Sequence, residues 1–160
     1  MTQQLSFAHQ HSAGAKGGET SQEALGRSKG GLSTKIHAVV DALGNPVSFH
    51  LTPGQACDLD GADQLLPNIV AQIVLADKGY DADERVIKRL QAQDKTAVIP
   101  PKRNRSNPRD YDRDLYKARH LIENFFAKLK NYRAIATRYD KRATNFLGAI
   151  YLAASVIWLN

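Results

Sequence analysis

One cysteine, one tryptophan and one methionine are all that this 160-residue chain holds of each. With Cys57 alone an internal disulfide framework is excluded, which fits a reducing compartment and leaves packing as the expected role of the thiol. The opening segment "MTQQLSFAHQHSAG" has no charged side chain and no apolar run, so it does not read as a signal peptide. Long hydrophobic runs are also missing. "FLGAIYLAASVIWL" is the one candidate for a membrane segment, and its 14 residues fall short of the roughly 20 that a span requires. It reads as a buried core helix, and the expected location is the cytoplasm.

What is present describes a folded domain. With 42% hydrophobic and 24% charged residues the chain is not disordered throughout, and its length suits one domain with a sizeable core. Residues 14–31 are Gly- and Ser-rich and aperiodic, which predicts a flexible loop. "TKIHAVVD" and "VSFHLT" read as strands joined by the turn residues of "ALGNP". "CDLDGADQLLPNIV" predicts a helix with Leu59, Leu65 and Leu66 on its inner face. "QIVLADKGY" reads as a short apolar strand ended by Asp77 and Gly79. "DADERVIKRLQAQD" reads as a helix capped by Asp81, with Glu84 completing something close to a capping box. "TAVIPP" is a last short strand, stopped by its prolines. Residues 102–114 form a basic loop, and from about Leu115 onward the chain reads as helical. The order predicts an α/β sandwich with a mixed sheet.

Charge is unevenly spread. Residues 102–142 hold 13 Lys/Arg against 5 Asp/Glu, net +8, whereas the remainder is net −2. Tyr111, Tyr116, Phe125, Phe126, Tyr132 and Tyr139 are interleaved with those cations. That mixture suits a surface tracking a phosphate backbone, and a merely solvated basic face is the plainer alternative.

Within this block, "YKARHLIENFFAKLK" has helical periodicity. At about 100° per residue, Leu121, Ile122, Phe125, Phe126 and Leu129 share one face, while Tyr116, Arg119, Glu123 and Lys130 fall along one border of it. Glu123 is the only carboxylate of the segment. It is either half of a surface pair with Arg119 at i,i+4 or a group reaching into a cleft. Asp77 stands at the carboxyl end of an apolar strand, where open α/β sheets present their chemistry, although an Asp in "ADKGYD" can also simply shape a turn. Should the two acids converge, their repulsion calls for a cation. Hard oxygen ligands with open positions suit Mg2+ or Mn2+, and beside a basic surface the natural substrate is a phosphodiester.

These residues also carry a resemblance. Tyr116, Arg119, Glu123 and Lys130 match Y-x2-R-x3-E-x6-K without a gap, which resembles the C-terminal signature of the DDE transposases of bacterial insertion sequences. "LADKGYD" is similar to the stretch around that family's second catalytic Asp. "HQHSAGAKGG", "GRSKGGLSTKIHAVVDALGNP" and "RYDKRATNFLGAIYLAASVIWL" are similar to its members as well, so the likeness covers nearly the whole chain. It implies a ribonuclease H-like fold over residues 1–160, divalent metals held by three acids, and strand cleavage and transfer at insertion-sequence ends. Asp77 would be the second acid and Glu123 the third, both holding Mg2+ or Mn2+. Tyr116, Arg119 and Lys130 would contact DNA near the scissile phosphate. The partners implied are double-stranded transposon-end and target DNA, with the chain working as a homo-oligomer or with full-length transposase, in a nucleoid-associated cytoplasmic location and without a membrane.

One departure counts against those agreements. The family's first Asp lies on the first strand, a few residues before "AHQH", and counting back reaches Thr2 or the start of the chain; no Asp or Glu precedes Glu19. The expectation is a partial catalytic domain with a truncated or incomplete first strand, inactive until an upstream segment completes it. Asp41, Asp58 and Asp60 would be the acids to inspect if the chain cut DNA alone. The other readings are a DNA-binding or dimerising regulator without chemistry and a structure-selective nuclease of the same fold. His9 and His11 read as surface or DNA-facing, and His37 and His50 as packed or edge residues.

Overall fold

The computed structural model describes residues 2–8, the first seven as backbone, together with 23–28 and 31–159. In chain order the elements are β1 (Thr2–Ala8), β2 (Gly26–Ser28), β3 (Gly31–Val40), β4 (Pro46–Pro53), α1 (Asp58–Leu65), β5 (Ile73–Leu75), α2 (Lys88–Gln91), β6 (Thr96–Val98), α3 (Arg113–Lys117), α4 (His120–Leu129), α5 (Arg133–Ala136), β7 (Thr137–Arg138) and α6 (Ala143–Leu159). The mixed α/β architecture follows the sequence pattern.

β3 organises the main sheet. It pairs antiparallel with β1, β2 and β4, from Thr2↔Ala38 to Phe7↔Ser33 on the β1 side and from Thr34↔Pro53 to Val40↔Pro46 on the β4 side. β1 in turn runs parallel to β7, so the sheet is mixed and the first strand lies in its interior. β5 and β6 form a separate parallel pair. The predicted hairpin is β3–β4. Its turn is fixed by Asp41, whose carboxylate accepts from Leu43 N (2.8 Å) and Asn45 N (2.9 Å).

The strand alternation of β3 divides the interior in two. Ile36 and Ala38 enter one cluster with Phe49, with Ile122, Phe125, Phe126 and Leu129 of α4, and with Phe146 and Ile150 of α6. Each of the leucine, isoleucine and phenylalanine side chains in it contributes about 1.5–3 kcal/mol. Lys35 and His37 face the other way, toward α1 and a second cluster that includes Leu65, Leu66, Val74, Tyr80, Val86 and Leu90. His37 is wholly buried between the Thr52 hydroxyl (Nε2, 2.8 Å) and the Tyr80 hydroxyl (Nδ1, 3.3 Å). A Cβ on Gly61 would overlap its ring, so α1 can cross β3 there only at a glycine. Burial, with His50 and Lys35 adding to it, lowers the His37 pKa to about 4. The ring is therefore neutral and packed, as expected.

Several expectations need correction. Part of the predicted 14–31 loop is strand, since Gly26–Ser28 pairs with the start of β3; residues 14–22, 29 and 30, like His9 and His11, lie outside the described residues. Arg138, wholly buried, donates to Thr34 Oγ1 (2.6 Å) and to the carbonyls of Glu23 (2.9 Å) and Asp140 (2.8 Å), and so ties this segment to the start of α6. Asp81 caps no helix. Ala82 precedes a single π turn, Asp83–Ile87, that leads into α2, and Glu84 pairs with Lys88 rather than reaching back. Asp81 instead anchors the basic loop, accepting from Lys102 N (2.8 Å), Arg105 (2.8 Å) and Arg109. The helix expected from Leu115 is broken between α3 and α4. Cys57 is exposed at the start of α1. α6 buries only one face, leaving Leu152, Trp158 and Leu159 at 70%, 63% and 82% exposure. No helix among the described residues is long and apolar enough to cross a membrane.

Candidate active site

Asp77 follows β5 by two residues. Its Oδ1 accepts from Gly79 N at 2.6 Å and opens the 3-10 turn Lys78–Tyr80. The turn-forming role is real, and it also fixes the carboxylate, because the side chain cannot swing without losing that bond. Tyr80, at the end of the turn, is wholly buried and holds the loop against the second core cluster.

Gly79 carries a second consequence. A Cβ built there would lie 2.9 Å from Asp77 Oδ1 and 2.9 Å from Asp58 Oδ2, so the two carboxylate oxygens are no farther apart than those distances combined. Asp58 belongs to the first turn of α1, and its Oδ1 accepts from Lys35 Nζ at 2.7 Å. Lys35, 8% exposed, also donates to Ala56 O (2.6 Å). The lysine of β3 thus compensates a pair of acids drawn together by α1 and the β5 loop. Of the other two fallback acids, Asp41 holds the β3–β4 turn and Asp60 pairs with Arg85 at 2.8 Å. The sequence pointed to Asp58 only as one of three fallback acids, and not to Lys35 at all. The residue types were visible in "TKIHAVVD" and "CDLD", but nothing in their spacing says that α1 starts beside the β5 loop.

Glu123 projects from α4 and is bound by Arg119. Arg119 in turn lies over the Tyr116 ring, 5.7 Å from its centroid, and Tyr111 packs edge-on against the same ring at 5.5 Å. This cation–aromatic stack bridges the break between α3 and α4, so the polar line survives the loss of a continuous helix. Burial raises the pKa of the Tyr116 hydroxyl, and the charges of Asp77 and Glu123 add to that rise while Arg119 opposes it. Tyr116, Arg119 and Glu123 form one contact group. Lys130 stands apart, at the C-terminal end of α4, about 10 Å along the helix axis from Glu123. Among the described residues no three His, Cys, Asp or Glu side chains are gathered tightly enough to hold a metal ion.

The basic block is sorted by the fold. Arg105 and Arg109 both clamp Asp81 and Asp83, and Arg138 is buried. Lys128, Lys130, Arg133, Lys141 and Arg142 remain exposed or half-exposed, with no ion pair to another described residue. Beside the site, an apolar groove of about 300 Å³ runs between Val39–Ala42, β5, Leu115 and Leu121, with Arg119 as its one cation.

The family described as "Transposase DDE domain" matches residues 6–158. A protein described as a transposase for insertion sequence element IS6501 of Brucella ovis is 44% identical over 132 residues, covering 80% of this chain and 99% of that protein. A second, for insertion sequence element IS402 of Burkholderia cepacia, is 30% identical over 125 residues, covering 69% of this chain and 55% of that protein. No solved structure matches the chain. With nearly its whole length matched, the chain belongs to the DDE transposases, the enzymes of DNA transposition in insertion sequences.

Proposed function

We propose that the chain supplies the metal-dependent strand-cleavage and strand-transfer machinery at insertion-sequence ends, on a ribonuclease H-like frame, and that an upstream acid-bearing segment completes it. The observation that carries this reading is an acid fixed at the end of a strand, Asp77 held by Gly79 N beside Asp58, together with a helix Glu123 bound by the Arg119 that lies over Tyr116. The family works with a divalent metal, and hard carboxylate donors beside the side-chain-free cradle of Gly79 fit Mg2+ or Mn2+. Asp77 and Glu123 would hold the ion, which when bound polarises a phosphodiester and activates its attacker. Asp58 is the further acid within reach of Asp77. The Gly79 N–H holds Asp77 in orientation, Arg119 holds Glu123, and Tyr116, Arg119 and Lys130 contact the DNA backbone.

Counting back from "AHQH" to the place of the family's first Asp reaches Thr2 or the start of the chain, with no Asp or Glu there. That favours, as a second reading, a DNA-binding or dimerising regulator without chemistry. The two separate in a nicking assay on a duplex carrying the cognate end. The chain alone should remain near background in excess Mg2+ or Mn2+, and a form fused to an upstream segment with the strand Asp should cut. Glu123→Gln in the fused form should abolish cutting. A fused form as inert as the chain alone would establish the regulator; robust metal-dependent cutting by residues 1–160 alone would overturn the need for completion.

A further inference from the structure

Seventeen consecutive residues of α6, Ala143–Leu159, contain no charged side chain. A helix without charge, whose polar side chains are few (Thr144, Asn145 and Ser155), is ordinarily covered over most of its surface. α6 is not. Phe146, Ile150, Ala153 and Ala154 are buried against the sheet and α4, while Asn145, Gly148, Leu152, Ser155 and Leu159 are exposed. Those five recur at alternating intervals of three and four, which sets them in one straight seam. Two of them are small, and nothing lies within 4 Å of where a Cβ on Gly148 would stand. Such positions let another backbone approach closely.

Apolar surface flanks the seam on one side. Tyr151, 43% exposed, leans edge-on against Phe49 of β4 at 5.1 Å. Val47, 59% exposed, sits at the bulge of β4, two residues before Phe49. Trp158, 63% exposed, borders the same hollow as Leu43, which is 80% exposed.

We infer that α6 is a homodimer interface, in which α6 of one chain packs antiparallel on α6 of a second copy about a two-fold axis at Leu152. The seam is its own complement. In an antiparallel pair centred on Leu152, Gly148 of each copy faces Ser155 of the other, and Asn145 faces Leu159, so small residues meet small ones and no like side chains collide except the two central leucines. Charge selects the occupant. The chain carries net +6, concentrated in residues 102–142, so two copies repel one another across the basic face, and α6 is a long surface element on which they can meet without opposing charges. DNA gains nothing from an uncharged helix. A membrane surface is matched by a helix with cations along its polar border, which α6 lacks. The area also suffices. A helix of this length is about 26 Å long, and with its flanking Tyr151, Trp158, Leu43 and Val47 it would cover on the order of 500 Å² per copy, near the lower limit for a specific dimer.

The inference gives a surface to the homo-oligomer within the proposed function, but its test uses no DNA and no metal, so it fails or stands apart from the cleavage chemistry. Sedimentation velocity of the full chain from 1 to 100 µM should show a concentration-dependent dimer. Leu152→Glu should shift it to monomer with unchanged circular dichroism, because two carboxylates would meet on the axis. Val70→Glu, at a side chain 90% exposed elsewhere on the surface, should leave the dimer intact. In a Cys57→Ser background, the paired Asn145→Cys and Leu159→Cys changes should cross-link two chains, whereas Leu159→Cys alone should not. A monomer throughout that range would overturn the inference, as would a dimer indifferent to Leu152→Glu or cross-linking by Leu159→Cys alone. Pelleting of the wild type, but not of Leu152→Glu, with phosphatidylglycerol vesicles would also overturn it, by giving the face to lipid.

Discussion

Two pairs of basic residues in one charge block should behave oppositely when DNA binding is followed against salt. Lys130 and Arg133 are exposed around the end of α4 and pair with no described acid, whereas Arg105 and Arg109 have side chains 18% and 28% exposed and are clamped to Asp81 and Asp83. Each phosphate neutralised adds about 0.9 to the slope of log K against log salt. If Lys130→Ala and Arg133→Ala together remove two contacts, the slope should become shallower by about 1.8, and between 50 and 200 mM salt the affinity deficit of the double variant should shrink by about 12-fold. Arg105→Ala with Arg109→Ala should leave the slope within error of the wild type, because those guanidiniums already have carboxylates as partners. Fluorescence anisotropy on one end-bearing duplex at four or five salt concentrations suffices. Equal loss of slope from the two pairs would show that the loop releases its acids to meet DNA, and the division into committed and available cations would then be wrong.

Asp81→Ala should destabilise the fold by about 2–4 kcal/mol in urea unfolding, since it strands two partly buried guanidiniums and the Lys102 N–H. His37 should make stability depend on pH between the unfolded value near 6.5 and the folded value of about 4. Its folded pKa is depressed, so the neutral form's contribution is complete above about 6.5 and is lost as pH falls toward 4, by up to about 3 kcal/mol; His37→Gln should flatten that part of a stability–pH profile. Burial pushes the Asp81 carboxyl up, but Lys102 N–H, Arg105 and Arg109 outweigh it and hold the carboxyl below its ordinary range. Its contribution should therefore be present above about pH 4 and fall away below that, a limb that Asp81→Asn should shorten. Gly79→Ala should weaken Mn2+ binding in calorimetry by pushing the Asp58 and Asp77 oxygens aside, as should Asp77→Asn, with little change in thermal midpoint for Asp77→Asn.

The parts of the fold that were legible in sequence are those set by local pattern. β3 and β4 alternate, "ALGNP" turns, and α4 keeps the apolar stripe that places Ile122, Phe125, Phe126 and Leu129 in the core. The misreadings share one cause, a tertiary partner overriding a local rule. Asp81 had the right spacing to Glu84 for a cap, yet a buried carboxylate with two arginines 24 and 28 residues away is better satisfied by them than by one helix N–H. Arg138 looked like one more cation of a basic surface until Thr34 of β3, the distant Glu23 carbonyl and the nearby Asp140 carbonyl enclosed it. The break between α3 and α4 has no proline or glycine to announce it, and the sequence offers no physical signal for it.

At the site, legibility ended at the boundary between elements. Glu123 stood out as the only acid of a cationic helix, and Asp77 as the acid ending an apolar strand; both inferences need only one segment at a time. Asp58 and Lys35 become meaningful only when β3, α1 and the β5 loop are brought together, because the electrostatic reason for each lies on another element. Asp58 stands opposite Asp77 across Gly79, and Lys35, at 2.7 Å from Asp58 and nearly excluded from water, places a cation on the Asp58 side of the pair. Lys35→Met should therefore leave Asp58 without its counter-charge. It should raise the affinity for Mn2+ if the ion takes over the lysine's role, and destabilise the metal-free fold, with the loss recovered as Mn2+ is added. A variant that lost stability with no recovery at saturating Mn2+ would show that Asp58 serves Lys35 alone and takes no part beside Asp77.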